Sequence, residues 1–153
     1  MKTLCFKVLD TLIGRTLATA ESLTGGGIGA AITAIPGSSE VYKGGIISYT
    51  NEVKQKLLGI NPFLLKNLGA VSAPIAEAMA IGARNALSAD IAVSVTGLAG
   101  PGGDDKGNPV GLVFVGYADD KRITSRRFVF SGDREEVRAQ AVEAALKLIL
   151  ELN

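Results

Sequence analysis

A serine stands between a short apolar run and three consecutive glycines, in residues 20–27, which read A-E-S-L-T-G-G-G. The apolar run, residues 16–20, predicts a buried strand, and the glycines predict a turn into a helix. Strands that alternate with helices in this way are typical of layered α/β domains. The turn also exposes the Ser22 hydroxyl at the N-terminus of the helix, where free backbone N–H groups can hold an oxyanion or a phosphate.

The rest of the chain continues this alternation of apolar strands and alanine-rich helices. Helices are predicted at about residues 2–13, 24–35, 51–58, 74–87 and 133–150, with a short one after residue 62, and strands at 16–20, 41–50, 91–96, 110–118 and 122–130. The last two strands are predicted to form a β-hairpin, so the sheet is not all parallel. We therefore predict an α/β fold, a single layered α-β-α domain over residues 1–153 with a mixed sheet.

Composition argues against several classes of protein. Sixteen Lys and Arg residues against fifteen Asp and Glu leave a net charge of +1, which provides no overall field for nucleic acid or an anionic membrane. No apolar run approaches the ~20 residues of a membrane span. The one cysteine, Cys5, cannot form an internal disulfide and is predicted to be buried, so we expect a reducing, cytoplasmic compartment.

Two glycine-rich segments admit both a functional and a structural interpretation. Residues 25–30 match the dinucleotide pattern G-x-G-x-x-G/A, but only Glu52 stands near the position of the expected acidic partner, and a close helix–sheet contact explains the same glycines. The segment 96–107 comes at the end of a buried strand and is either an anion-binding nest or a flexible surface loop. Its candidate binding residues are Thr96, Gly97, Gly100 and Gly102.

A serine nucleophile needs a base, and the chain contains no histidine. Lys54 is the leading candidate, because Asn51 is predicted to cap a helix and to place this lysine in its first turn. The helix dipole and desolvation there would lower the lysine pKa from its usual value of about 10.4. Tyr49, at the preceding strand end, could relay a proton. Taken alone, Lys54 is better explained as a surface lysine, and only its combination with Ser22 and Tyr49 favours a base.

Six motifs are distributed over the chain: A-E-S-L-T-G-G at 20–26, P-G-S-S at 36–39, Y-T-N-E-V-K at 49–54, G-A-V-S at 69–72, T-G-L-A-G-P-G-G at 96–103 and G-D-R-E-E-V-R at 132–138. They occur in the order seen in the CinA C-terminal domain family. The chain resembles this family over essentially its whole length.

The resemblance implies an enzyme that hydrolyses the carboxamide of nicotinamide mononucleotide to nicotinic acid mononucleotide and ammonia, in pyridine nucleotide recycling. It implies that Ser22 is the nucleophile, that Lys54 is the base and that Tyr49 is the tyrosine beside them. We expect no cofactor and no metal, and a small-molecule substrate rather than nucleic acid or a membrane. The reaction would pass through an ester, with backbone N–H groups of Thr24, Gly25 and Gly26 stabilising the oxyanion.

The substrate 5′-phosphate needs hydrogen-bond donors of its own. The glycine loop at 97–103 and Arg134 or Arg138, in the first turn of the last helix, are the candidates. Solvent exposure, with neighbouring glutamates as partners, explains these arginines equally well. Asp104 and Asp105 would repel a phosphate, so we expect them to point away from the site.

Two other functions stay open at this point. One is a non-catalytic pyridine-nucleotide-binding module, and the other is an amidase for a different small amide, since a sequence does not separate substrates that share an amide and a phosphate. The apolar N-terminal helix lies outside the predicted βα core. It could therefore serve a subunit contact in a homo-oligomer.

Overall fold

The computed structural model describes all residues from Met1 to Asn153 and consists of a five-stranded sheet between two layers of helices. In chain order the elements are α1 (Lys2–Thr11), β1 (Leu17–Glu21), α2 (Gly27–Thr33), β2 (Tyr42–Ile47), α3 (Asn51–Leu58), α4 (Pro62–Leu68), α5 (Ala73–Leu87), β3 (Ile91–Gly97), β4 (Leu112–Ala118), β5 (Ile123–Val129) and α6 (Arg134–Leu152). None of these helices has both the length and the apolar character needed to cross a membrane.

The strand order in the sheet is β2-β1-β3-β4-β5. β1 is parallel to β2 and to β3, whereas β4 is antiparallel to β3 and β5 is antiparallel to β4. The predicted mixed sheet with a hairpin in the C-terminal half is therefore confirmed. Since β1, β2 and β3 run in the same direction, their C-terminal ends meet at one edge, where ligands bind in open α/β sheets.

Large aliphatic side chains cover the sheet face that packs against α1, α2 and α6. Leu17 and Val93 of the sheet are fully buried there, in one cluster with Leu146 and Ile149 of α6. Cys5 belongs to the same cluster and is 0% exposed, as predicted. This face forms the larger part of the hydrophobic core.

Small side chains cover the opposite face, under α3, α4 and α5. Ala18 and Ala92 lie in this second cluster, and the Ser94 hydroxyl donates a hydrogen bond to the Ala76 carbonyl of α5. Gly116 of β4 lies directly beneath α5, where a Cβ would overlap the same carbonyl. The small residues therefore allow α5 to approach the sheet closely.

Glycines delay the start of α2. The helix predicted from residue 24 begins only at Gly27, because Gly25 and Gly26 have φ values of +59° and +101°. These left-handed conformations cannot continue into a right-handed helix. Residues 22–26 form a turn instead, and we call them the serine turn.

Two helix starts position residues of interest. α3 is capped by Thr50, whose Oγ1 accepts a hydrogen bond from the Val53 N–H at 3.3 Å, so the predicted cap at Asn51 was wrong. Lys54 is consequently the fourth residue of α3. α6 begins with a capping box between Asp133 and Glu136. An acidic residue followed three positions later by glutamate is a sequence pattern for such a box.

Gly116→Ala is expected to lower the free energy of unfolding by about 1–3 kcal/mol, because the added methyl group would push α5 away from the sheet. Gly102→Ala is the matched control, since nothing lies within 4 Å of the position that its Cβ would take. Urea unfolding of both variants and the parent measures the difference. Equal stability of the two variants would contradict the close approach of α5.

Candidate active site

An open cleft of about 670 Å³ lies at the C-terminal edge of the three parallel strands. Segments that follow β1, β2 and β3 line it, together with α4, the connection to α5 and the start of α6. The structure brings eight of the predicted site residues to this cleft: Ser22, Tyr49, Lys54, Thr96, Gly97, Gly100, Gly102 and Arg134. Four others do not line it: Thr24, Gly25, Gly26 and Arg138.

Ser22 and Lys54 meet at the wall of the cleft. The lysine Nζ lies 3.0 Å from the serine Oγ, although the two residues are 32 positions apart in the sequence. Ser22 is 7% exposed and Lys54 is 1% exposed. A nearly buried amine thus contacts a hydroxyl that borders the cleft, which is the arrangement needed for an amine to take a proton from a serine nucleophile.

Two main-chain carbonyls hold the lysine amine in place. Lys54 Nζ donates to the carbonyl of Ser48 at 2.7 Å and to that of Tyr49 at 3.2 Å. An ammonium group has three N–H donors, for these two carbonyls and Ser22 Oγ. The neutral amine has two N–H groups, which the carbonyls accept, and its lone pair then faces the Ser22 hydroxyl.

Burial lowers the pKa of Lys54 to about 8. Desolvation penalises the ammonium form, and no carboxylate forms a salt bridge with this lysine. We expected the helix dipole to contribute, but Nζ extends back to carbonyls that precede the helix cap, and desolvation is the cause of the shift. About a tenth of the molecules therefore carry the free amine at pH 7.

Tyr49 contributes its carbonyl to the Ser22–Lys54 pair, and its hydroxyl lies elsewhere. The phenol oxygen accepts a hydrogen bond from Arg134 Nη2 at 3.1 Å and bonds to neither Ser22 nor Lys54. Tyr49 is 57% exposed. The structure therefore contains no hydrogen-bonded path for the predicted proton relay.

Glu21 is a buried carboxylate that the sequence analysis missed. The residue is 2% exposed. Its Oε1 accepts hydrogen bonds from Thr24 Oγ1 at 2.6 Å and from the Ile28 N–H at 2.8 Å, and its Oε2 accepts one from the Gly29 N–H at 3.1 Å. This carboxylate occupies the N-terminus of α2, which we predicted to be free for an oxyanion. An acidic residue shortly before a helix was the signal that could have found it.

The main-chain N–H groups of the serine turn differ in availability. Gly25 donates to the Ser22 carbonyl at 3.1 Å, so its N–H is already used. The N–H groups of Leu23, Thr24 and Gly26 have no acceptor within the protein, and of these three residues only Leu23 lines the cleft. The unused donor that belongs to a cleft-lining residue is therefore that of Leu23, one residue before the predicted Thr24–Gly26 segment.

Arg134 lies at the rim of the cleft, as its predicted role requires. Its Nη1 donates to the Gly100 carbonyl at 2.7 Å and its Nη2 to the Tyr49 hydroxyl. The guanidinium thus bridges the loop after β3 and the end of the segment after β2. Its remaining N–H groups are free to bind an anion.

Arg138 occupies a different place, although it is one helical turn away. Its Nε donates to the Leu23 carbonyl at 2.9 Å and its Nη2 to the Thr24 carbonyl at 3.3 Å. The side chain therefore contacts the serine turn from outside the cleft. The prediction that Arg138 binds phosphate is not supported by this position.

Close packing accounts for two residues of the glycine-rich segment, Thr96 and Gly97. The Thr96 hydroxyl donates to the Ala70 carbonyl at 2.8 Å, so it holds the floor of the cleft. A Cβ at Gly97 would overlap the Leu112 carbonyl of the neighbouring strand. These two residues serve the close packing of the loop, and the exposed backbone at Gly102 remains available to a ligand.

Charged side chains of both signs line the wall of the cleft between α4 and the loop after β3. Asp104 and Asp105 border it, contrary to our expectation, and so do two lysines that we had not singled out, Lys66 and Lys106. Asp104 folds back on its own loop, where both carboxylate oxygens accept hydrogen bonds from Asn108.

No group of three or more Cys, Asp or Glu side chains is arranged to hold a metal ion.

Comparison with known proteins places this geometry in a family. The sequence model of the CinA C-terminal domain family matches residues 3–153 of this chain. A CinA-like protein of Thermosynechococcus vestitus is 52% identical over 121 residues, which is 78% of this chain and 29% of that protein. The chain spans about a third of the length of this and other CinA-like relatives. The nicotinamide-nucleotide amidohydrolase PncC of Pseudomonas putida is 47% identical over 89% of this chain and 85% of its own length.

Solved structures have the same architecture. A CinA superfamily protein of Escherichia coli superposes with a TM-score of 0.97 at 33% identity, over 99% of this chain and 90% of its own. The competence/damage inducible protein of Agrobacterium tumefaciens gives a TM-score of 0.95 at 37% identity, over 99% and 94% of the two chains. Because the family model spans nearly every residue and these structures share the whole fold, the chain belongs to the CinA C-terminal domain family.

Proposed function

We propose that the chain is an amidase that converts nicotinamide mononucleotide to nicotinic acid mononucleotide and ammonia, with Ser22 as the nucleophile and Lys54 as its base. The observation that carries the proposal is the 3.0 Å contact between the buried Lys54 amine and the Ser22 hydroxyl at the cleft. The similarity to the Pseudomonas putida nicotinamide-nucleotide amidohydrolase supports the choice of substrate.

The first half of the reaction forms an ester on Ser22. Neutral Lys54 accepts the proton of the serine hydroxyl, and the serine oxygen attacks the carboxamide carbon. The Leu23 N–H stabilises the oxyanion that develops on the carbonyl oxygen. Lys54 then delivers its proton to the carboxamide nitrogen, the C–N bond breaks and ammonia leaves.

The second half hydrolyses this ester. Lys54, neutral again, accepts a proton from a water molecule that attacks the ester carbonyl, and the bond between that carbon and Ser22 Oγ breaks. The proton on Lys54 returns to the serine oxygen. The acid product releases its own proton to solvent and leaves as a carboxylate. The carbonyls of Ser48 and Tyr49 accept hydrogen bonds from both forms of the lysine, so Nζ keeps its position throughout.

Arg134 is the residue that we assign to the substrate 5′-phosphate. A guanidinium has five N–H groups, and two of those of Arg134 donate to Gly100 and Tyr49, which leaves three for a ligand. The two protein contacts also fix the orientation of the guanidinium before substrate arrives. A pre-oriented guanidinium suits the paired hydrogen bonds that arginine makes to phosphate.

Ammonia release from nicotinamide mononucleotide, with nicotinamide and nicotinamide riboside as controls, tests the proposed activity. Ser22→Ala is expected to lower kcat by at least about a thousandfold, because the nucleophile is lost. Its Kd for the nucleotide, measured by calorimetry, should stay close to that of the parent, since only one oxygen is removed. Activity within tenfold of the parent would contradict the covalent mechanism.

Lys54→Arg and Lys54→Ala are both expected to lose nearly all turnover, because a guanidinium stays protonated at neutral pH and cannot accept the serine proton. In the parent, kcat/KM should rise with pH and level off above about 8, since the amine acts only after it loses its proton. Circular dichroism melting verifies that the variants fold. High activity of Lys54→Arg, or no rise with pH in the parent, would rule out the base.

Arg134→Ala is expected to raise KM for nicotinamide mononucleotide by about ten- to a hundredfold, the effect of losing one or two charge-assisted hydrogen bonds. The rate with nicotinamide riboside, which has no phosphate, should change little. Arg127→Ala is the control, because this exposed arginine of β5 forms no hydrogen bond through its side chain. An equal loss on both substrates would show that Arg134 does not contact the phosphate.

A further inference from the structure

The serine turn has little regular structure of its own. It connects the end of β1 to α2, a helix of seven residues, and two of its five residues are left-handed glycines. Within the turn, the Gly25 N–H donates to the Ser22 carbonyl at 3.1 Å. Contacts from outside the turn must therefore hold the Ser22 hydroxyl at its position beside Lys54.

Glu21 provides such contacts on the inner side of the turn. Its buried carboxylate accepts hydrogen bonds from the Thr24 hydroxyl and from the Ile28 and Gly29 N–H groups in the first turn of α2, and so holds the exit of the serine turn. Its main-chain carbonyl accepts a hydrogen bond from the Ser48 N–H at 2.8 Å. The same residue thereby connects the turn to the segment whose carbonyls hold Lys54.

Arg138 provides the contacts on the outer side. It donates to two successive carbonyls, those of Leu23 and Thr24. The guanidinium also lies against Gly25, since a Cβ there would be in van der Waals contact with Nη2 at 3.5 Å. The capping box at Asp133 fixes the start of α6, and Val137 and Ala141 are fully buried on either side of Arg138 in the sequence, so the arginine is anchored at its base.

The two hydrogen bonds from Arg138 hold the orientation of the Leu23–Thr24 and Thr24–Gly25 peptides. In a trans peptide the C=O and the N–H point in opposite directions. When Arg138 holds the Leu23 carbonyl, the Thr24 N–H points away from the guanidinium, and rotation of the Leu23 peptide would break the contact. The orientation of the turn therefore depends on a side chain that touches neither Lys54 nor the cleft.

We propose that Arg138 is a positioning residue that holds the serine turn in the orientation in which the Ser22 hydroxyl is reactive. The proposal rests on the proposed function only in taking Ser22 as the nucleophile. It separates two arginines of one helix that the sequence presents as equivalent. Arg134 binds substrate, and Arg138 acts through the main chain of residues 23 and 24.

Arg138→Ala and Arg134→Ala form a matched pair for steady-state assays with nicotinamide mononucleotide. Arg138→Ala should lower kcat at least tenfold and leave KM within twofold of the parent value. Its preference for the nucleotide over nicotinamide riboside should not change, and the pH midpoint of kcat/KM should stay near that of the parent. Arg134→Ala should show the opposite pattern, with a higher KM. Because Arg138 is exposed, added methylguanidine should restore part of the kcat of Arg138→Ala. Arg138→Lys should retain intermediate activity.

A substrate-free measurement keeps this test separate from the proposed substrate. A fluorophosphonate probe labels reactive serines, and mass spectrometry locates and times the labelling of Ser22. We expect labelling at least tenfold slower in Arg138→Ala, unchanged labelling in the surface control Arg127→Ala and none in Ser22→Ala. If the parent is labelled but releases no ammonia from the nucleotide, the substrate assignment fails and the labelling rates still decide the role of Arg138.

Three results would overturn the proposal. The first is an Arg138→Ala variant whose labelling rate and kcat equal those of the parent. If only its melting temperature falls, the role of Arg138 is purely structural. The second is a rise in KM with loss of the phosphate preference, which would make Arg138 a substrate ligand. The third is an unlabelled Ser22 in the parent, because there would then be no reactive hydroxyl to position.

Discussion

Burial of a lysine amine without a carboxylate partner is the interaction on which the candidate site depends. The hydrogen-bond partners of Lys54 are two main-chain carbonyls and the Ser22 hydroxyl, all of them uncharged. A carboxylate would favour the ammonium and raise its pKa, whereas neutral partners let desolvation lower the pKa to about 8. A chain that contains no histidine thereby obtains a group that titrates near neutral pH. The same carbonyls orient the amine, so its charge state and its direction have one structural origin.

The register of the parallel strands brings this lysine and serine together. Glu21 pairs with Ile47 of β2 on one side and with Val95 of β3 on the other. β1 and β2 both end at this level, whereas β3 continues to Gly97. Ser22 therefore emerges beside Ser48, whose carbonyl holds the lysine amine. Small residues of the sheet beneath α5 contribute to this arrangement, because they allow α5 to lie close to the sheet.

Charged side chains in this region act mainly on the backbone. Glu21 satisfies N–H groups at the start of α2, and Arg138 satisfies carbonyls of the serine turn, so opposite charges hold opposite sides of a short segment. Neither charge forms a salt bridge with the other. Hydrogen bonds between charged side chains and backbone groups are stronger than those between neutral partners. Such contacts suit a turn whose glycines make it intrinsically flexible.

The sequence by itself determined what depends on neighbouring residues: the order of strands and helices, the hairpin, the capping box at Asp133, the turn at the glycines, and Ser22 and Lys54 as candidates. These features rest on periodicity, turn chemistry and local motifs, which a single chain displays directly. Only the tertiary structure decided which charged side chains of the site are buried and what they face. Arg134 and Arg138 have the same chemistry one turn apart, and packing against different segments sends one to the cleft and the other to the serine turn. The Glu21 carboxylate likewise binds N–H groups of α2 because the helix begins after two left-handed glycines. The Lys54 pKa depends on burial between elements distant in the sequence, and no local pattern encodes that contact.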